Sequence, residues 1–175
     1  MHQISVIGPG LCTPEEYREA LQVGRLIADR GATLVCGGLG GVMTAAARGA
    51  REAGGSTVGV LPGHDRSAAN PYIEVAITTG LGEARNLVVV STGDAVIAVG
   101  GGFGTLSEIG LAAKIGRPVV VLHGWTIEPS GPLDPVAKDN ATGGLHYASS
   151  PAEAVDLALT LASLRGPTLP ANPHE

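Results

Sequence analysis

The chain has 175 residues, among them 27 glycines, with 15% charged residues and a formal net charge of −5. That length suits one domain whose core stands without staples, and the lean charge suits strands buried on both faces. No basic block exists to neutralise a run of phosphates, which excludes a general nucleic-acid binder, and no apolar stretch reaches membrane-spanning length.

Gln3 to Ile7 reads as a first strand, closed by Gly8-Pro9-Gly10. Thr13-Pro14-Glu15-Glu16 combines a capping residue, proline at the first helical position and a capping-box glutamate, so a helix follows, ending at Gly31. Ala32 to Cys36 is a second strand that stops at the glycine run Gly37 to Gly41. A helix over Val42 to Ala53 and a third strand over Thr57 to Leu61 come next. Tyr72 to Ile77 reads as a fourth strand and Arg85 to Val90 as a short helix.

Ala95 to Val99 is entirely apolar and is bounded by glycine, the pattern of a strand buried on both faces. Gly100, Gly101, Gly102 and Gly104 then let the backbone turn and approach a ligand closely. A helix from Thr105 to Ile115 would aim its unpaired N–H groups and positive dipole end at an anion, naturally a phosphate. A strand over Pro118 to Leu122 follows. Gly124 to Gly144 reads as a loop with about one helical turn, His146 to Ala148 as a last strand, and Pro151 to Leu161 as a final helix behind a Ser150 cap. Strands alternating with helices predict an α/β fold, a single-domain Rossmann-like parallel sheet with helices on both faces over residues 1–165. Residues 166–175 carry three prolines and no apolar period, and read as a disordered tail.

Several chemistries are excluded. The dinucleotide fingerprint fails at both halves, because the first loop lacks G-x-G-x-x-G and the second strand closes on Cys36-Gly37. No lysine follows a glycine cluster, which removes the triphosphatase loop, and no G-x-S-x-G elbow is present. Cys12 and Cys36 have no metal-like spacing, so no metal is expected. The N-terminus starts directly on a strand, which gives the expectation of a reduced, cytoplasmic protein.

Gly101-Gly-Phe-Gly-Thr105-Leu-Ser-Glu108 resembles the signature of the LOG family, whose members cleave the N-glycosidic bond of nucleoside 5′-monophosphates. Gly37 to Met43, Leu61-Pro-Gly-His-Asp65 and Gly82-Glu-Ala-Arg85-Asn86 also stand where that family has its motifs, so the resemblance spans roughly residues 4–122, about one α/β domain. It implies Arg85 and Glu108 as the catalytic pair, and Gly8, Gly37, Gly38, Gly41, Gly101, Gly102, Gly104 and Thr105 as the phosphate- or nucleotide-binding set. It implies no cofactor, a nucleoside monophosphate or other phosphorylated small molecule as partner, and a homodimer or higher homo-oligomer. Gly100, Asn86 and Ser107 depart from the usual Pro, Lys and acidic residue. The pattern looks most like a bacterial branch that includes molybdenum-cofactor carrier proteins, which bind a phosphorylated pterin without hydrolysing a nucleotide. Two readings follow: a phosphoribohydrolase, and a carrier or sensor. Arg85 is expected to keep Glu108 ionised, Met43 to sit in the core, and Trp125 either to pack or to stack on a base.

Overall fold

A computed structural model describes residues 1–127 and 144–165. Seven strands form one sheet: β1 (Gln3–Ile7), β2 (Thr33–Cys36), β3 (Thr57–Leu61), β4 (Val75–Thr78), β5 (Ala95–Val99), β6 (Val119–Leu122) and β7 (Leu145–Ala148). Their order is β4-β3-β2-β1-β5-β6-β7, with every pairing parallel. The helices are α1 (Pro14–Asp29), α2 (Val42–Glu52), α3 (Arg85–Thr92), α4 (Phe103–Lys114) and α5 (Pro151–Arg165). This is the α/β, Rossmann-like architecture that the alternating pattern predicts.

The sheet has two covered faces, each with its own apolar cluster. One gathers Ile4, Val6, Leu34, Ile97 and Leu122 with α1, α2 and α5. The other gathers Ile7, Val35, Val60, Val96 and Val121 with α3 and α4. Alternate residues of each strand serve opposite clusters, as the period of two demands. Every residue of β5 is fully buried, which is why it carries no polar side chain.

The capping box is complete at α1: the Thr13 hydroxyl accepts from the Glu16 N–H at 3.2 Å, and the Glu16 carboxylate accepts from the Thr13 N–H at 2.7 Å. At α5 the Ser150 hydroxyl accepts from the Glu153 N–H, but the Glu153 carboxylate takes both the N–H and the hydroxyl of Ser149 instead. Several boundaries differ from the sequence reading by one to three residues, and α5 runs four residues further, to Arg165 rather than Leu161. β4 begins at Val75, because Tyr72 spends its carbonyl on the Thr57 hydroxyl at 2.7 Å and so lies in the preceding loop. A 3-10 turn, Gly82–Ala84, leads into α3, which runs on to Thr92. Helix α4 starts at Phe103, two residues before the expected Thr105. Residues 128–143, most of the expected loop, and the expected tail 166–175 lie outside the described residues.

Helices α1 and α2 cross at backbone contact. A Cβ added at Gly24 would strike the Ala46 carbonyl, its carbon lying 2.7 Å away. Overpacking costs about 1–3 kcal/mol even where side chains can yield, and here a helix backbone must move. Gly24→Ala is therefore expected to lower stability by about 3 kcal/mol despite alanine's better helix propensity of about 1 kcal/mol. Urea unfolding checks this: the midpoint falls with an unchanged slope. An equal or higher midpoint contradicts it.

Candidate functional site

From β1 the chain works outward through β2, β3 and β4, then returns to the other side of β1 with β5, β6 and β7. The loops leaving β1 and β5 therefore diverge to opposite faces, and the crevice between their carboxyl ends is where open α/β sheets take ligands. A cleft of about 240 Å³ opens at that place. Gly8 and Gly10 line it from the end of β1, Gly37 from the end of β2, Glu83, Arg85 and Asn86 from the start of α3, and Gly104, Thr105 and Glu108 from α4. Val6, Ile7 and Met43 add apolar surface.

Helix α4 presents a bare N-terminus at this edge. Its N-cap is Gly102, which supplies no side-chain acceptor. The first amide to find a helical partner is Leu106, bonded to the Gly102 carbonyl at 2.9 Å, so the Phe103, Gly104 and Thr105 amides have none. Together with the dipole this is an anion cradle. Thr105 is 2% exposed and its hydroxyl has no hydrogen-bond partner. Arg85 is 6% exposed, and its Nε likewise has none. Buried polar groups in native proteins are almost always satisfied, so two unpartnered groups in one cleft mark it as a place suited to a polar ligand. Arg85 reaches its place by lying across Gly37: any Cβ there would collide with the guanidinium and stand 2.7 Å from the Met43 sulfur.

Glu108 is 8% exposed. Burial pushes its carboxyl up from 4.5 to about 7; Arg85 pulls it back down, and Glu83 adds a smaller upward push. The expectation that Arg85 holds Glu108 ionised is thus corrected: desolvation outweighs the cation, and among the described residues no ion pair joins the two. With α4 starting at Phe103, Glu108 stands in the second turn, so the helix dipole does not explain it.

The raised carboxyl has a consequence for stability. Between pH 4.5 and about 7 the folded chain holds a proton that the unfolded chain has released. This contribution is fully present below pH 4.5 and is lost as pH rises through about 7, a fall of roughly 3 kcal/mol. Unfolding midpoints at pH 5 and pH 8 should show this loss in the wild type and lack it in Glu108→Gln. Parallel pH dependence in the two proteins contradicts it.

The cleft brings together Arg85, Glu108, Gly8, Gly37, Gly104 and Thr105 from the expected set. Gly38, Gly41, Gly101 and Gly102 do not line it. Gly38 packs on Leu61 and Gly59, Gly41 on the carbonyls of Pro9 and Gly10, and Gly101 on the Trp125 ring. Met43 is both core and cleft lining. Asp94 is engaged by His2 at 3.5 Å and by the Gln3 N–H at 2.9 Å. The sequence reading did not place Asn86 in the site, although it is 7% exposed and lines the cleft. Its signal was available: Asn86, Val89 and Val90 share one helical face, and a polar residue on a buried face needs a reason.

The profile of the SLOG cluster4 family matches residues 1–155. The chain belongs to that family. A protein of Archaeoglobus fulgidus is 47% identical over 131 residues, covering 71% of this chain and 86% of its own. A cytokinin riboside 5′-monophosphate phosphoribohydrolase of Mycobacterium tuberculosis is 38% identical over 117 residues, or 61% of this chain. That match spans 62% of the mycobacterial protein's length. Among solved structures, the molybdenum cofactor binding protein of the phototrophic bacterium Rippkaea orientalis superposes with a TM-score of 0.78 at 37% identity, covering 91% of this chain and 96% of that one. The molybdenum cofactor carrier protein of Chlamydomonas reinhardtii gives a TM-score of 0.77 at 33% identity, covering 93% and 98%. Within the family, the LOG-like resemblance read from the glycine loop is therefore shown. Among the described residues, no helix is long and apolar enough to cross a membrane.

Proposed function

We propose that the cleft takes a nucleoside 5′-monophosphate and hydrolyses its N-glycosidic bond, giving free base and ribose 5-phosphate. The observation that carries this is Glu108, a buried carboxyl titrating at about 7 beside Arg85 and one helical turn from an uncapped N-terminus. The Phe103, Gly104 and Thr105 amides, the Thr105 hydroxyl and Arg85 hold the phosphate and the sugar. Cleavage passes through an oxocarbenium-like state, with hydroxide from water adding to the anomeric carbon and a proton going to the departing base. A carboxyl near neutrality serves both halves, since acid–base efficiency peaks when the pKa lies near the working pH. The similarity to the mycobacterial phosphoribohydrolase supports this reading.

A second reading, carriage of a phosphorylated pterin without turnover, rests on the two molybdenum-cofactor proteins, which superpose over more than nine-tenths of this chain at 37% and 33% identity. The same cradle serves both readings; only the fate of the bond differs. Incubating the protein with a panel of nucleoside 5′-monophosphates and the matching nucleosides separates them. Base release from one or more monophosphates, and from no nucleoside, is the expected result. No release from any, with stoichiometric binding of a phosphorylated pterin, turns the assignment to carriage.

A further inference from the structure

The chain has one phenylalanine and one tryptophan, and both stand beside the phosphate cradle. Phe103 is the first residue of α4, between the Gly102 cap and the cleft-lining Gly104, and it is 83% exposed. Trp125, in the loop after β6, backs it with ring centroids 6.0 Å apart and planes tilted by 42°. The indole edge rests on the glycine loop, so close that a Cβ at Gly101 would stand 2.9 Å from Nε1. An aromatic ring left almost wholly in water while its neighbour is anchored on the loop is a platform with one face free.

The cleft beside this platform is small. At about 240 Å³ it is smaller than the roughly 300 Å³ at which pockets for small molecules begin. That volume suits a phosphate and a sugar, and a ring attached to the sugar would extend toward the mouth of the cleft. Gly104, Thr105 and Glu108 form its α4 wall, and the exposed Phe103 directly precedes Gly104 at the start of the helix.

The geometry points to Phe103, supported by Trp125, as the stacking platform for the ligand's planar heterocycle, which lies outside the cleft across the start of α4. This rests on the proposed reading of the cleft as the phosphate and sugar site. Stacking is tolerant of ring identity because every base has a π-face. The platform accordingly provides affinity for heterocycles as a class and leaves discrimination among them to other groups.

The test uses Glu108→Gln as a common background, so that ligand is not consumed, with adenosine and guanosine 5′-monophosphate and ribose 5-phosphate as probes. Phe103→Ala and Phe103→Leu are expected to weaken both nucleotides about tenfold or more and to leave ribose 5-phosphate unchanged, while Phe103→Tyr retains affinity. Emission from the sole tryptophan should be quenched by the nucleotides and not by ribose 5-phosphate. Unchanged nucleotide affinity in Phe103→Ala, with ribose 5-phosphate still bound, overturns the platform and leaves the phosphate site standing. Failure of all three probes to bind any variant overturns both. A slower-sedimenting Phe103→Ala with normal nucleotide affinity also overturns it, in favour of a contact between protein chains.

Discussion

Replacing Glu108 by Gln is expected to lower base release from nucleoside 5′-monophosphates about 100-fold or more, with nucleotide affinity retained. Gln keeps the shape and volume of the side chain but cannot carry a proton to the departing base or take one from water. General acid–base transfer contributes about 10²–10⁴-fold, which sets the scale. The wild-type rate should also change around pH 7, where the buried carboxyl titrates, and that inflection should vanish in the variant. Turnover rates with and without the substitution, measured from pH 5 to pH 9, check both statements. Equal turnover would remove Glu108 from the chemistry.

Arg85→Met is expected to act on two quantities at once. The guanidinium is a cation in the cleft with a buried, unpartnered Nε. Hydrogen bonds to charged groups are worth about 1.5–3 kcal/mol, so affinity for ribose 5-phosphate should fall about tenfold or more. Arg85 is also the group that pulls the Glu108 carboxyl down, against desolvation and Glu83. Its removal should move the pH inflection upward from about 7. Calorimetric titration and the pH profile are the two readouts. Wild-type affinity with an unmoved inflection would reduce Arg85 to a group packed across Gly37.

The large features of this fold were legible because they follow from period and punctuation. The apolar run Ala95–Val99 could only be a doubly covered strand, and it is one. The Thr13-Pro14-Glu16 signature produced its capping box as written. The start of α4 was misplaced for an identifiable reason: Gly102 and Gly104 are poor helix formers, so propensity put the start beyond them at Thr105. The strand–turn–helix geometry overrides that preference and admits Gly104 to the first turn, where a Cβ would meet nothing within 4 Å.

Two features of the site could not be read from spacing. A glycine required for close backbone packing looks the same in sequence as one that admits a ligand. Gly38 and Gly41 are closely packed by their neighbours, and Gly37 sits against the arginine of the cleft. The state of Glu108 depends on how desolvation compares with Arg85, and that comparison requires the three-dimensional surroundings.

Both proposed readings require the phosphate to bind in the cleft between β1 and β5. Backbone amide spectra of ¹⁵N-labelled protein titrated with ribose 5-phosphate test this most directly. The predicted result is a saturable shift shared by the Phe103, Gly104 and Thr105 amides and by those of Gly8 and Gly37, lost in Arg85→Met. Saturable shifts confined to another part of the chain, with these five amides unmoved, would contradict it.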